Sequence, residues 1–132
     1  LKGVKATYPG AELTSDFKDR MLKTNPKLSD FTYGPESYDA VMLTALASIE
    51  AKTDDPTTFA PDIIKVSKDG TECSSFKECA DLLKKGTDID YQGVSGPCDL
   101  GATGSPTKAT IGIFQYAADN TYHNLKYVTG VI

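Results

Sequence analysis

Residues 34–52, GPESYDAVMLTALASIEAK, carry the strongest secondary-structure signal in the chain and predict a core-facing helix. Pro35 suits the first helical turn, where the amide hydrogen that proline lacks would have no helical partner. Apolar residues then recur at spacings of three and four. The predicted buried stripe consists of Tyr38, Val41, Met42, Ala45, Leu46 and Ile49.

Three carboxylates lie near the start of this helix, at Asp30, Glu36 and Asp39. Paired carboxylates can serve acid–base catalysis. Acidic side chains at a helix N-terminus, however, usually interact with the positive end of the helix dipole. We therefore predict a dipole role for these residues and no catalytic role.

Outward from this helix, residues 75–85 predict a second, short helix. Ser75 and Glu78 form a capping-box pattern, and Gly86 supplies the left-handed stop. Cys73 lies just before the cap and Cys79 in the first full turn, so a bond between them would pin a loop to the helix. Three reduced, buried thiols in a cytosolic protein are the alternative. The local geometry favours a Cys73–Cys79 disulfide and hence an oxidising compartment.

The remaining pattern places helices before strands. A short strand over 3–8 and a helix from Ala11 to Asn25 come first, and a further helix begins at Asp55-Pro56 or at Pro61. Strands are predicted over 89–91, 94–100 and 109–116, with a last strand from Tyr122 to Val131. This order fits an α/β or α+β domain. We predict one region over 1–132.

Several classes of function find no support in the residues. The net charge is -4 and the 14 Lys and Arg do not cluster, which argues against nucleic acid as a partner. One histidine and no CxxC pair are too few ligands for a zinc site. Phosphate-loop and GxSxG patterns do not occur. We predict no catalytic residues, no metal and no cofactor, and we expect His123 to be a surface side chain and Cys98 a small buried one.

The order of several motifs resembles a known family. Residues 37–41, SYDAV, followed by an Ala/Leu-rich helix, are similar to the "YDAV" helix of type I periplasmic binding proteins of the branched-chain amino-acid-binding kind. Residues 88–97, DIDYQGVSGP, resemble the family's "Y-x-G-x-x-G-P" strand. Residues 99–116 are similar to the hairpin that follows it. The motifs span nearly all of 3–132, and Cys98 departs from the aliphatic residue usual at its position.

This resemblance implies a periplasmic-binding-protein-like type I α/β fold, of which the chain would be the C-terminal fragment, with helices followed by a strand meander. It implies two lobes that close around an amino acid or a similar small solute. It also implies an ABC permease as partner and an extracytoplasmic location, periplasmic or as a cell-surface lipoprotein.

Two residues carry the expected ligand contacts. The resemblance places Tyr38 in the lining of the cleft, and the alternative for Tyr38 is core packing, because it lies on the apolar stripe. Ser37, at the exposed start of the helix, is the second candidate, and its alternative is a solvated turn residue. An exposed helix N-terminus can receive an anionic group, which is the physical reason to consider both.

Other functions compete with a solute-binding component of an importer. The same fold can serve as a ligand-sensing receptor or regulatory domain. A small secreted interaction domain could share the motifs, and a hydrolase would need a nucleophile beside His123. Sheet edges left open by missing strands would favour a dimer through those edges.

Overall fold

A computed structural model describes the whole chain from Leu1 to Ile132. It contains four helices, α1 (Ser15–Thr24), α2 (Gly34–Ala51), α3 (Pro56–Lys65) and α4 (Phe76–Lys84). Its six strands are β1 (Lys5–Pro9), β2 (Thr71–Cys73), β3 (Ile89–Gly93), β4 (Gly96–Pro97), β5 (Lys108–Tyr116) and β6 (Tyr122–Val131). The α/β class is confirmed. None of the helices combines the length and the apolar character needed to cross a membrane.

The chain divides into two compact units. The first consists of Leu1–Tyr33 together with Lys108–Ile132 and holds an antiparallel sheet with strand order β1-β5-β6. Tyr8 and Tyr127 flank Gly112 on the two neighbouring strands. A Cβ on Gly112 would lie 3.0 Å from the Tyr8 ring and 3.2 Å from the Tyr127 ring, so glycine makes room for both tyrosines.

The second unit, Gly34–Thr107, contains α2, α3, α4 and the sheet β2-β3-β4. Strands β2 and β3 run parallel, and α4 forms the crossover between them. The main core lies here and is formed by residues from α2, α4, both parallel strands and Val66. Its buried members are Met42, Leu43, Leu46, Ala47, Val66, Cys73, Cys79, Leu83, Ile89 and Tyr91.

The predicted disulfide is present in this core. Cys73 and Cys79 are bonded with a Cα–Cα separation of 5.4 Å, and both are buried. Ser75 caps α4 by accepting a hydrogen bond from the Glu78 amide at 3.3 Å. The Glu78 carboxylate accepts in turn from the Ser74 amide. Gly86 has a φ of 78°, which confirms the left-handed stop. The bond therefore ties the end of β2 to the first turns of α4.

The helix at 34–52 is confirmed, and four of the six residues of the predicted stripe are buried or packed against the core: Tyr38, Met42, Leu46 and Ile49. The prediction is wrong for Val41 and Ala45. The buried residues are Pro35, Asp39, Met42, Leu43, Leu46 and Ala47. Val41 is 69% exposed. The helix is apolar on nearly every side, so spacing alone did not fix which side faces the core. Asp39 lies on the buried side, where a carboxylate is not expected.

Helix α3 begins at Pro56, which decides between the two predicted starts. Asp55 caps it by accepting from the Thr57 amide at 3.3 Å and from the Thr58 hydroxyl at 2.5 Å. Pro61 lies inside the helix. Pro56 occupies the first turn, where its missing amide hydrogen costs little.

The strands differ from the predicted meander in two ways. They are divided between two sheets, and the short strand β2 was not predicted because Thr71-Glu72-Cys73 shows no alternation. The predicted continuous strand over 94–100 is wrong: within it, Gly96–Pro97 pair with Gly93 and Gln92, and Leu100 forms an isolated bridge with Pro106. Residues 93–96 instead form a tight turn in which Gly96 has a φ of 115°.

Candidate functional site

The most closely organised polar group in the chain is the carboxylate of Asp39, which is 3% exposed. Its Oδ1 accepts a hydrogen bond from the Tyr91 hydroxyl at 2.8 Å and from the Val94 amide at 3.0 Å. Its Oδ2 accepts from the Ser95 amide at 2.7 Å and from the Ser95 hydroxyl at 2.6 Å. Burial of a carboxylate is costly unless such donors compensate for the lost water. Each oxygen here has two.

All four donors come from one five-residue segment, from Tyr91 in the middle of β3 to Ser95 in the turn that follows. Two of them are consecutive main-chain amides. The Val94 and Ser95 amides therefore donate to a side chain of α2 and not to a neighbouring strand. This explains why no continuous strand forms over 94–100.

Gly93 makes this arrangement sterically possible. A Cβ at this position would lie 2.5 Å from Cγ of Asp39 and 2.7 Å from Sγ of Cys98. Both distances are far below ordinary contact, so any side chain at residue 93 would displace the carboxylate or the thiol. Glycine is thus required here for space.

The electrostatics of the cluster keep its hydroxyl and thiol protonated. Burial, and then the hydrogen bond to Asp39, raise the pKa of Tyr91 far above its usual value. Burial, followed by the charge of Asp39, raises the pKa of the Cys98 thiol to about 12. A thiol with such a pKa is a poor nucleophile near neutral pH, because the thiolate is the reactive form. The cluster is therefore suited to holding a conformation and not to nucleophilic catalysis.

A second contact fixes the segment that leaves the turn. Ser67 is fully buried, and its hydroxyl donates to the carbonyl of Ile64 at 2.7 Å. The same oxygen accepts from the Leu100 amide at 3.1 Å. The segment from Tyr91 to Leu100 is thus held at one end by Asp39 and at the other by Ser67.

The two residues predicted to contact ligand lie in the first turns of α2, beside Asp39. Ser37 is exposed, and Tyr38 is half-buried against the core. Tyr38 thus has a part of its surface in the core and a part outside it. Their roles as ligand contacts stay predictions. Cys98 is a free, half-buried thiol that follows β4, and it donates weakly to the carbonyl of Gly96 at 3.5 Å.

A groove of about 440 Å³ opens on another side of α2, against α3. Val41 and Ala45, which were predicted to face the core, line it. The full lining is Ala40, Val41, Thr44, Ala45, Ser48, Asp54 and Phe59. The lining is largely apolar, and its one carboxylate belongs to Asp54.

The other residues considered for chemistry are far less organised. His123 is exposed on β6, as expected of a surface histidine. Asp30 is fully exposed, and its hydrogen bonds to Thr32 lower its pKa. No group of three or more His, Cys, Asp or Glu side chains is arranged to hold a metal ion.

The sequence reasoning missed Asp39, Tyr91, Ser95 and Gly93 as one cluster. Asp39 was assigned to the helix dipole, yet it lies three, four and seven residues before Met42, Leu43 and Leu46. A carboxylate in phase with a buried stripe is the signal that would have marked it. Its partners could not have been identified locally, because they lie 52 to 56 residues away.

The class of the protein follows from its fold and its family match. The chain has four helices and two small sheets, and Asp39 joins the start of α2 to residues 91–95; this α/β chain belongs to the type I periplasmic-binding-like class. The family is defined by its sequence model: residues 4–119 match the receptor family ligand binding region, and the chain belongs to that family. Comparisons with curated proteins and with solved structures give no match. Membership supports a ligand-binding role.

Proposed function

We propose that the chain is the C-terminal part of a two-lobed solute-binding domain that binds an amino acid or a similar small molecule for an ABC importer. Membership of a ligand-binding family over residues 4–119 is the observation that carries this proposal. The first turns of α2 would form part of the cleft wall. Ser37 would face the solute with its hydroxyl, and Tyr38 with the part of its side chain that lies outside the core.

The position of these residues gives the proposal a physical basis. The N-terminal amides of a helix carry partial positive charge and attract anionic groups such as a carboxylate. Ser37 lies at that end of α2, two residues before the buried Asp39 that holds the turn. A solute carboxylate near Ser37 would therefore meet the positive end of the helix.

Titration calorimetry of the full-length protein with the twenty common L-amino acids tests the proposal. We expect micromolar binding of one or a few of them. The isolated 132-residue chain should bind none tightly, because half of the cleft would be absent. Absence of heat with every amino acid would contradict an amino acid as the solute, and tight binding by the isolated chain would contradict a two-lobed cleft.

Variants of Tyr38 separate ligand contact from core packing. Tyr38→Phe keeps the packing and removes the hydroxyl, whereas Tyr38→Ala removes both. If Tyr38 contacts the ligand, Tyr38→Ala should lower the ligand affinity even at a temperature where the variant is fully folded. Phe76→Ala is the matched control, because Phe76 is an aromatic residue on α4 in the same unit and is 44% exposed. If Tyr38→Ala lowers only the melting temperature, Tyr38 is a packing residue.

A ligand-sensing receptor is the second candidate, and the description of the matched family as a receptor family favours it. Uptake of the bound amino acid by cells with and without the gene distinguishes the two. An importer component predicts loss of uptake on deletion. A sensor predicts unchanged uptake and a lost transcriptional or signalling response.

An extracytoplasmic location, as a periplasmic protein or surface lipoprotein, is part of the proposal and is supported by the Cys73–Cys79 disulfide. Cell fractionation tests it, and recovery in the cytosol would contradict it. The outer edges of β1 and β6 are open in the first unit. We propose that the rest of the two-lobed domain covers them, and that the isolated chain dimerises along them, which light scattering would measure.

A further inference from the structure

We infer that Asp39 is a positioning residue of the candidate site: by holding the turn 93–96 against the start of α2, it fixes the surface next to Tyr38 on which the solute would lie. The inference rests on the proposed function for the solute. The fixing of the turn by Asp39 can be tested without any solute.

The turn has few other ties that could fix its shape. Strand β4 has only two residues, paired as Gln92 with Pro97 and Gly93 with Gly96. Pro97 has no amide hydrogen to donate to the ladder. The three hydrogen bonds from the turn to Asp39 therefore outnumber what the ladder supplies, and they determine the direction of the Val94 and Ser95 amides.

The placement of a carboxylate at residue 39 is not what stability alone would favour. Asp39 interrupts a stripe that is otherwise apolar, between Pro35 and Met42. Replacing buried charged groups with well-packed apolar residues often leaves proteins as stable or more stable, and the best-attested use of such groups is to specify one arrangement. The arrangement specified here is that of the turn relative to the start of α2.

The test uses the full-length protein and three variants. Asp39→Asn presents amide hydrogens to groups that are themselves donors, and Ser95→Ala removes the hydroxyl donor with little change in volume. Asp55→Asn is the matched control: Asp55 also accepts a main-chain amide and a hydroxyl, from Thr57 and Thr58, but at the start of α3.

Two readouts are measured for each variant. Hydrogen exchange of the Val94 and Ser95 amides reports on the turn. We expect Asp39→Asn to accelerate it about tenfold or more, since hydrogen bonds to charged groups contribute enough to shift an opening equilibrium by that factor. Ser95→Ala should accelerate the Val94 amide less, and Asp55→Asn should change neither amide.

Calorimetry with the tightest-binding amino acid of the twenty reports on the site. We expect affinity for this amino acid to fall about tenfold for Asp39→Asn and to be unchanged for Asp55→Asn. In an Asp39→Ala variant, acetate should partly restore binding, because it can fill the cavity that the carboxylate leaves. Unchanged exchange in Asp39→Asn would overturn the fixing of the turn. Faster exchange with full affinity would overturn the positioning role.

The two failures can be told apart. If the unaltered protein binds none of the twenty amino acids, an amino acid fails as the solute, and the positioning role toward it fails with it. The exchange measurement still decides by itself whether Asp39 fixes the turn.

Discussion

Replacement of Gly93 by alanine is the sharpest perturbation that the site offers, because it adds a single methyl group where the backbone of residue 93 meets Asp39 and Cys98. The new Cβ would lie 2.5 Å from Cγ of Asp39 and 2.7 Å from Sγ of Cys98. Carbon atoms pack at roughly 3.5–4.0 Å. The carboxylate or the turn must therefore move by about 1 Å.

The magnitude follows from what such a movement breaks. A shift of that size lengthens hydrogen bonds that now measure between 2.6 and 3.0 Å. Overpacking costs roughly 1–3 kcal/mol, and each hydrogen bond to a charged group contributes roughly 1.5–3 kcal/mol. We expect Gly93→Ala to lower the free energy of unfolding by about 3–5 kcal/mol, a large part of a typical total of roughly 5–15 kcal/mol.

Urea denaturation followed by far-ultraviolet circular dichroism measures this change. Gly130→Ala is the control, since a Cβ there would meet nothing within 4 Å. We expect it to change stability by less than about 0.5 kcal/mol. A loss of less than about 1 kcal/mol in Gly93→Ala would refute the steric argument.

A double-mutant cycle tests the mechanism of the loss. Asp39→Ala removes the carboxylate that the new methyl group would strike, so the double variant should be much less destabilised than the sum of the two single variants. The cycle therefore measures the conflict between residues 39 and 93 directly. If the two losses simply add, the conflict lies elsewhere.

Three further changes follow from other contacts. Gly70→Ala should prevent stable folding, because its Cβ would lie 2.5 Å from the main chain of Ile89, which cannot rotate away. Soluble yield and helical circular dichroism measure this, and full yield would contradict it. Reduction of Cys73–Cys79 should cost roughly 2 kcal/mol in urea denaturation, since the closed loop is short, and an unchanged midpoint would contradict it. Because the native pKa of Cys98 is raised to about 12 from 9.0, the unfolded chain loses that proton first as pH rises. Stability should therefore be complete below about pH 9 and fall above it by at most about 1.4 kcal/mol per pH unit, whereas Cys98→Ser should fall less.

The sequence predicted those elements whose signals are local. Helix α4 was predicted from Ser75, Glu78 and Gly86, and the structure confirms the cap at Ser75 and the stop at Gly86. Glu78 reaches back as predicted for a capping box, but to the Ser74 amide, one residue before the cap. The disulfide was predicted for the same reason, since its partners are six residues apart. Capping and short loops depend on neighbours in the chain, so their physics can be read from the sequence.

The elements that could not be predicted depend on partners far along the chain. Strand β2 exists because Thr71–Cys73 pairs with β3 across the whole of α4, and its own residues carry no strand pattern. The turn after β3 was predicted as the start of a strand over 94–100. The Val94 amide instead donates to Asp39, 55 residues away, and no local pattern indicates that choice.

The structure also shows how two short motifs of this chain depend on one another. Tyr38-Asp39-Ala40 supplies a carboxylate on the buried side of α2, and Tyr91-Gln92-Gly93 supplies a hydroxyl donor and the space that the carboxylate needs. Neither motif is stable in this form without the other: Asp39 would be a buried charge without donors, and the turn would have two main-chain amides without acceptors. The two segments therefore constrain one another as a single unit, so a change in one should be tolerated only with a compensating change in the other.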